Sequence, residues 1–188
     1  LINKLEFYVT LNIGVCVYPA DGKDVVKLYT NAENTLLNTQ YLWKNSCMYY
    51  TKEISKTVAR RLELKESLFY AIEDKELLLH YQPIVDLESG NLTGVEALVR
   101  WHHPKFGMLL PEKFIPLAKE TGLIVDLSKW VLKQACKQAR MWHEAGFKSL
   151  SMTINISAIE FDQAKLIGHI EGVLAETGMP PELLELDI

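Results

Sequence analysis

In the segment 94–101, Gly-Val-Glu-Ala-Leu-Val-Arg-Trp, two sets of residues alternate from one position to the next. This period of two predicts a β-strand whose two faces differ. One face carries small aliphatic residues: Val95, Ala97 and Val99. The other carries a carboxylate, a leucine and a guanidinium: Glu96, Leu98 and Arg100. Because buried charges cost free energy unless they are paired or bind an ion, this second face is either solvated or part of a functional site.

Strand and helix patterns alternate along most of the chain. The patterns predict strands at 7–18, 47–50, 77–85, 94–101, 149–156 and 183–188. They predict helices at 24–42, 52–76, 111–122, 126–146 and 162–178, the fourth capped by Asp126 or Ser128. The strands 77–85 and 94–101 have the pattern of a hairpin. After them, the alternation of helix and strand predicts an α/β fold, with a parallel sheet covered by helices.

Two of the predicted helices carry an apolar stripe that we expect to be buried. In the helix 24–42 this stripe is Val25, Leu28, Tyr29, Ala32, Leu36 and Leu37. In the helix that ends at 146 it is Leu127, Trp130, Val131, Ala135, Ala139 and Trp142. Trp101, Trp130 and Trp142 are expected in the core.

Side chains with oxygen ligands lie on three successive strands of the predicted parallel sheet. Glu96 is on the first, Asn155 near the end of the next, and Asp187 near the end of the third. Functional residues of α/β folds gather at the carboxyl ends of the strands. Carboxylate and carboxamide oxygens suit Mg²⁺, Mn²⁺ or Ca²⁺ better than zinc. The pattern leaves open the alternative of an α/β core with polar strand ends.

Arg100 follows Glu96 by four residues and so shares its face of the strand. A guanidinium can hold a phosphate through two parallel hydrogen bonds, and a divalent cation beside it is typical of phosphoryl chemistry. His102 and His103 precede a proline, which favours a loop over a pair of metal ligands.

Composition limits the classes of function. The 188 residues are 48% hydrophobic with a formal net charge of -4, so no basic surface predicts binding of a DNA or RNA polymer. The three cysteines have no CxxC spacing, which favours reduced cytoplasmic thiols. No apolar run has the length of a membrane span and no signal peptide is evident. We therefore expect a cytoplasmic protein, although a longer parent with an upstream membrane anchor remains an alternative.

Five motifs between 82 and 188 occur together in a recognisable order. They are Gln82-Pro83-Ile84, Glu96-Ala97-Leu98-Val99-Arg100-Trp101, Pro111-Glu112-Lys113-Phe114-Ile115, Asn155-Ile156-Ser157 and Leu184-Glu185-Leu186-Asp187-Ile188. Together they resemble the N-terminal half of an EAL domain. That resemblance implies a TIM-type (β/α) barrel, here partial, from a family that linearises cyclic di-GMP with two Mg²⁺ or Mn²⁺ ions.

The upstream region resembles the C-terminal part of an α+β GGDEF domain. The matching positions are Asn12-Ile13-Gly14, Tyr18-Pro19, Asp21-Gly22 and the helix around Ala32. The family's Ala-Asp-x-Ala-Leu helix reads Ala32-Glu33-Asn34-Thr35-Leu36 here. This comparison implies a GGDEF-like part at 1–51, a linker helix at 52–76 and the EAL half at 77–188.

The EAL resemblance also implies roles for individual residues. Glu96, Asn155 and Asp187 would be catalytic residues that bind the metal. Gln82, Leu98 and Arg100 would contact the dinucleotide. The chain departs from the family pattern at Glu160, where glutamine is usual, and at Asp187, where glutamate is usual.

The resemblance implies a cyclic di-GMP phosphodiesterase that produces linear pGpG. The alternative is a degenerate EAL module that binds cyclic di-GMP or a partner protein without catalysis. A homodimer through the EAL domain is also compatible with the resemblance. Because the family's later acidic residues and lysine lie beyond 188, we expect the chain to be a fragment of a longer polypeptide and inactive by itself.

Overall fold

A computed structural model of the protein describes residues 9–42, 45–156 and 166–187. Predictions that concern other positions, such as Glu160, lie outside the described residues. The chain divides into two compact units, Leu1–Leu64 and Lys65–Ile188. Helix α2, Lys52–Leu68, begins in the first unit and ends in the second. No helix of the described residues is both long enough and apolar enough to cross a membrane.

The first unit contains two short parallel strands joined through a helix. These elements are β1 (Ile13–Val15), α1 (Val25–Leu42) and β2 (Cys47–Tyr49), and Gly14 pairs with Met48. Helix α1 lies so close to β1 that a Cβ atom on Gly14 would be 2.4 Å from the carbonyl oxygen of Ala32. Glycine is thus the residue that allows this contact.

The buried face of α1 differs from the predicted apolar stripe. Val25 and Tyr29 are exposed, at 81% and 69%. The buried positions are instead polar: Asn31, Thr35, Asn38 and Thr39. The Thr35 hydroxyl donates to the Asn31 carbonyl and the Thr39 hydroxyl to the Thr35 carbonyl, each at 2.7 Å. The helix is rotated relative to the prediction because these hydroxyl groups are satisfied within the helix and can be buried.

The second unit is built on a mixed sheet. Its strands are β3 (Leu77–Val85), β4 (Leu92–His103), β5 (Gly107–Leu109), β6 (Ser151–Asn155) and β7 (Leu184–Asp187). The order is β3-β4-β6-β7, and β5 forms a small antiparallel pair with the end of β4. The β3–β4 pair is antiparallel, whereas β4, β6 and β7 run parallel. The predicted hairpin and parallel sheet are confirmed; β5 was not predicted.

The described part of the second unit has the helices α3 (Pro111–Thr121), α4 (Ile124–Glu144) and α5 (Leu166–Thr177), and α5 packs against α4. Helix α4 packs against β3, β4 and β6. The strand residues on the covered face are buried: Val95, Ala97, Met152 and Ile154. Trp101 is fully buried, while Trp130 and Trp142 are half-buried. The opposite face of the sheet is therefore left for polar side chains.

Two helix boundaries differ from the prediction. Helix α2 ends at Leu68 instead of Glu76, and turns follow until Lys75, whose φ of 58° cannot continue a helix. Helix α4 begins at Ile124, before the predicted caps Asp126 and Ser128. It starts early because Gly122, with φ 78°, ends α3 and turns the backbone directly into α4.

Candidate functional site

Polar side chains share the uncovered face of the sheet in the second unit. Gln82 on β3 pairs with Glu96 on β4, and Glu96 pairs with Thr153 on β6. Paired residues on neighbouring strands point to the same face, and so do residues two apart on one strand. Asn155, paired with Asp187 on β7, therefore belongs to the same face. The strand pairing brings together the residues that the sequence singled out.

Glu96 and Asn155 are in direct contact. The Asn155 Nδ2 donates a hydrogen bond of 2.6 Å to Oε1 of Glu96. Glu96 is half-buried and Asn155 is exposed. The contact joins β4 to β6 although 59 residues separate the two side chains in sequence. The amide oxygen of Asn155 and the second oxygen of Glu96 take no part in this hydrogen bond.

Asp187 is held in register by the backbone. The amide of Ile156 donates to the Asp187 carbonyl oxygen at 2.7 Å, which extends the β6–β7 pairing by one step. The Asp187 side chain is exposed. A neighbouring carboxylate was not predicted: Glu185 lies two residues earlier on the same face and accepts a 3.2 Å hydrogen bond from the Thr153 hydroxyl. The period of two along β7 could have indicated it.

Arg100 lies on the same face but does not pair with Glu96. Its Nη1 donates to the carbonyl oxygen of Val99 at 2.8 Å. Within the described part of the chain no ion pair joins Arg100 to Glu96. Across the β3–β4 pair, Arg100 lies opposite Leu78 and Leu98 lies opposite His80. The three predicted substrate contacts, Gln82, Leu98 and Arg100, thus share the face of the sheet that carries Glu96.

The predicted ligand set consists of hard oxygen donors. Glu96 and Asp187 offer carboxylates and Asn155 offers a carboxamide, all on adjacent parallel strands. Among the described residues, no group of three or more His, Cys, Asp or Glu side chains could hold a metal ion. The donors that are present suit a magnesium-like or manganese-like ion and not zinc.

His103 has a structural role. It is buried, and its Nδ1 accepts hydrogen bonds from the backbone amides of Lys105 at 3.0 Å and Phe106 at 3.3 Å. The ring lies edge-on to Trp101, with 5.0 Å between the centroids. The histidine thus closes the β4–β5 turn. The predicted loop is wrong at these positions, because His102 and His103 are the last residues of strand β4 and pair with β5.

A cleft of about 400 Å³ opens beside Glu96 and Asn155. We call it the α3 cleft. Its described lining includes Glu96, Leu98, Asn155, Glu112, Ile115, Lys119, Ile124, Leu127, Ser128 and Val131. The size is that of a small-molecule site, and the walls are mainly apolar with a few polar groups. Sequence reasoning missed Glu112, Lys119 and Ser128, although 112, 115 and 119 have the spacing of one helix face.

Curated relatives match this chain over nearly its whole length. The bifunctional diguanylate cyclase/cyclic di-GMP phosphodiesterase MucR of Pseudomonas aeruginosa is 34% identical over 187 residues, which is 100% of this chain and 27% of MucR. The cyclic di-GMP phosphodiesterase NbdA of the same organism is 35% identical over 179 residues, 95% of this chain and 23% of NbdA. The chain spans about a quarter of the length of these relatives.

Solved structures with a similar fold are EAL domains. The PaMucR phosphodiesterase in complex with c-di-GMP superimposes with a TM-score of 0.66 at 40% identity, covering 67% of this chain and 51% of that one. The FimX EAL domain of Xanthomonas citri in complex with c-diGMP gives 0.60 at 29% identity, covering 70% and 51%. A family model described as EAL domain matches residues 65–188. The chain belongs to the EAL domain family.

Proposed function

We propose that this chain is part of a metal-dependent phosphodiesterase that hydrolyses cyclic di-GMP to linear pGpG. The observation that carries the proposal is the contact of Glu96 with Asn155, beside Asp187, on the polar face of an EAL-family sheet. The relatives MucR and NbdA bear the names of cyclic di-GMP phosphodiesterases.

In this proposal the three oxygen ligands bind Mg²⁺ or Mn²⁺. Glu96, Asn155 and Asp187 would hold the ion, Asn155 through its amide oxygen. A bound divalent ion lowers the pKa of a water ligand and neutralises charge on the phosphate. Hydrolysis would join a water oxygen to phosphorus and break the bond from phosphorus to the 3′ oxygen, and one proton of the water would pass to that 3′ oxygen.

The substrate contacts follow from the same face of the sheet. Arg100 exchanges its bond with the Val99 carbonyl for a phosphate oxygen, which is favourable because the new bond is charge-assisted. Gln82, opposite Glu96, donates its amide to the dinucleotide, and Leu98 packs against a base. The three residues thereby position the dinucleotide, and none of them transfers a proton.

The proposal extends to the architecture of the chain. We propose a GGDEF-like part at 1–51, a linker at 52–76 that begins with helix α2 and, at 77–188, the N-terminal half of a TIM-type EAL barrel. The support upstream of residue 65 is the similarity to MucR over 100% of this chain, because MucR is named as a bifunctional diguanylate cyclase/cyclic di-GMP phosphodiesterase. We also propose that the protein is cytoplasmic and that it forms a homodimer through the EAL domain.

The test is an assay of the intact protein that carries this chain, with cyclic di-GMP and Mn²⁺. We expect pGpG as the product by chromatography, and loss of turnover in Glu96→Gln. Glu88→Gln, an exposed change in the β3–β4 turn, is the matched control. Binding of cyclic di-GMP without any turnover would contradict the phosphodiesterase and support a receptor.

A further inference from the structure

The α3 cleft contains two opposite charges that the proposed chemistry does not use. Glu112 and Lys119 both line it from helix α3. They are two helical turns apart, about 10.5 Å along the axis, and Ile115 lies between them on the same face. Both side chains are exposed, and neither forms an ion pair with a described residue. A carboxylate and an ammonium are therefore both available to a ligand.

The wall between these charges is apolar. Leu98 and Ile115 contribute to it from the strand and from α3, and Leu127 contributes from α4. Such a surface suits the flat face of a purine, which loses water from its rings when it stacks on aliphatic groups. The polar groups would then meet the edges of the base.

The two charges match the edges of guanine. Guanine carries N–H donors at N1 and N2, which a carboxylate can accept with its two oxygens. Its other edge carries the acceptors O6 and N7, which a lysine ammonium can donate to. Adenine presents an N–H₂ donor at position 6, where guanine has an acceptor, so it would place that donor against the ammonium.

We propose that Glu112 and Lys119 recognise one guanine base of the dinucleotide, Glu112 at N1 and N2 and Lys119 at O6 and N7. This inference rests on the proposed function, because it names the base that the site selects. The same cleft reaches Glu96 and Asn155, so a base held there belongs to a nucleotide whose phosphate lies near the oxygen ligands.

The experiment measures binding of cyclic di-GMP and cyclic di-AMP to the intact protein in EDTA, where metal-dependent cleavage cannot occur. The variants are Lys119→Met and Glu112→Gln. Lys113→Met is the matched control, because Lys113 is exposed on the same helix and does not line the cleft. We expect each cleft variant to bind cyclic di-GMP about tenfold more weakly and cyclic di-AMP nearly as before. The control should match the wild type.

The outcomes separate the two proposals. No binding of cyclic di-GMP by the wild type would overturn the proposed function itself. Normal binding by the wild type and by both cleft variants would overturn only the guanine site. An equal loss for both dinucleotides in Lys119→Met would assign that lysine to a phosphate and overturn base recognition. Thermal melts establish that each variant is folded.

Discussion

The indole nitrogen of Trp101 donates a hydrogen bond of 2.8 Å to Oε2 of Glu76. Trp101 is fully buried, and the Glu76 carbonyl also accepts the His102 amide at 2.8 Å. Both bonds tie the end of β4 to the residue that precedes β3. Because Arg100 immediately precedes Trp101, they also fix the backbone that carries the guanidinium.

Glu76→Ala should lower the free energy of unfolding by about 1–3 kcal/mol, because a buried indole N–H loses its acceptor. Glu76→Gln keeps an acceptor oxygen and should cost less. Urea denaturation measures both, with the exposed Glu73→Ala as the control. Equal stability of Glu76→Ala and the control would show that the bond contributes little.

Glu96→Ala should remove stabilisation by Mn²⁺ while leaving stability in EDTA within about 1 kcal/mol of the wild type. The reason is that its partner Asn155 is exposed and can bond to water instead. If Glu96 were instead the buried ion-pair partner of Arg100, its removal would cost about 3–5 kcal/mol of stability. In the structure, however, Arg100 donates to the Val99 carbonyl oxygen. Thermal melts with and without Mn²⁺ distinguish the two, and Glu88→Ala is the control.

Asp187→Glu should lower the Mn²⁺ concentration needed for half-maximal activity of the intact protein. Aspartate is one methylene shorter than the usual glutamate, and ligand positions tolerate only about 0.5 Å. A Mn²⁺ titration of turnover measures the effect, with Asp74→Glu in an exposed turn as the control. If the Mn²⁺ concentration at half-maximal activity stayed the same or rose, the site would be shaped for aspartate.

Cys47 should react with iodoacetamide in the native protein at about pH 8, whereas Cys136 should react only after denaturation. Cys47 is exposed and Cys136 is buried. Burial raises the pKa of the Cys136 thiol from 9.0 to about 11. The unfolded chain therefore loses this proton first, so its contribution to stability is complete below pH 9 and is lost as the pH rises to about 11. Peptide mapping identifies the labelled cysteine, and native labelling of Cys136 would contradict the prediction.

The sequence predicted the second unit better than the first for a physical reason. Around Glu96 the period of two extends over a long strand, and the flanking strands have their own alternation, so the shared face of Glu96, Asn155 and Asp187 could be predicted. Helix α1 was predicted to bury Tyr29, because hydropathy does not register a hydroxyl group that is satisfied within its own helix. Strand β5, with 3 residues, is too short for any period to be recognised.

The α3 cleft could not be predicted in the same way. Its lining comes from β4, the end of β6, α3 and α4, and sequence spacing relates residues only within an element. Glu112 and Lys119 could be placed on one face of α3, but only the packed structure shows that this face lies beside Glu96.

The hydroxyl groups of Thr35 and Thr39 are both occupied by carbonyl oxygens of their own helix. Each threonine therefore contacts its surroundings mainly through its methyl group, much as a valine does. The interior of the first unit is consequently more apolar than its residue types suggest. A count of buried apolar residues therefore underestimates the apolar surface that is buried there. A valine at position 35 or 39 would keep the shape of this packed surface and would remove only the hydroxyl and its hydrogen bond.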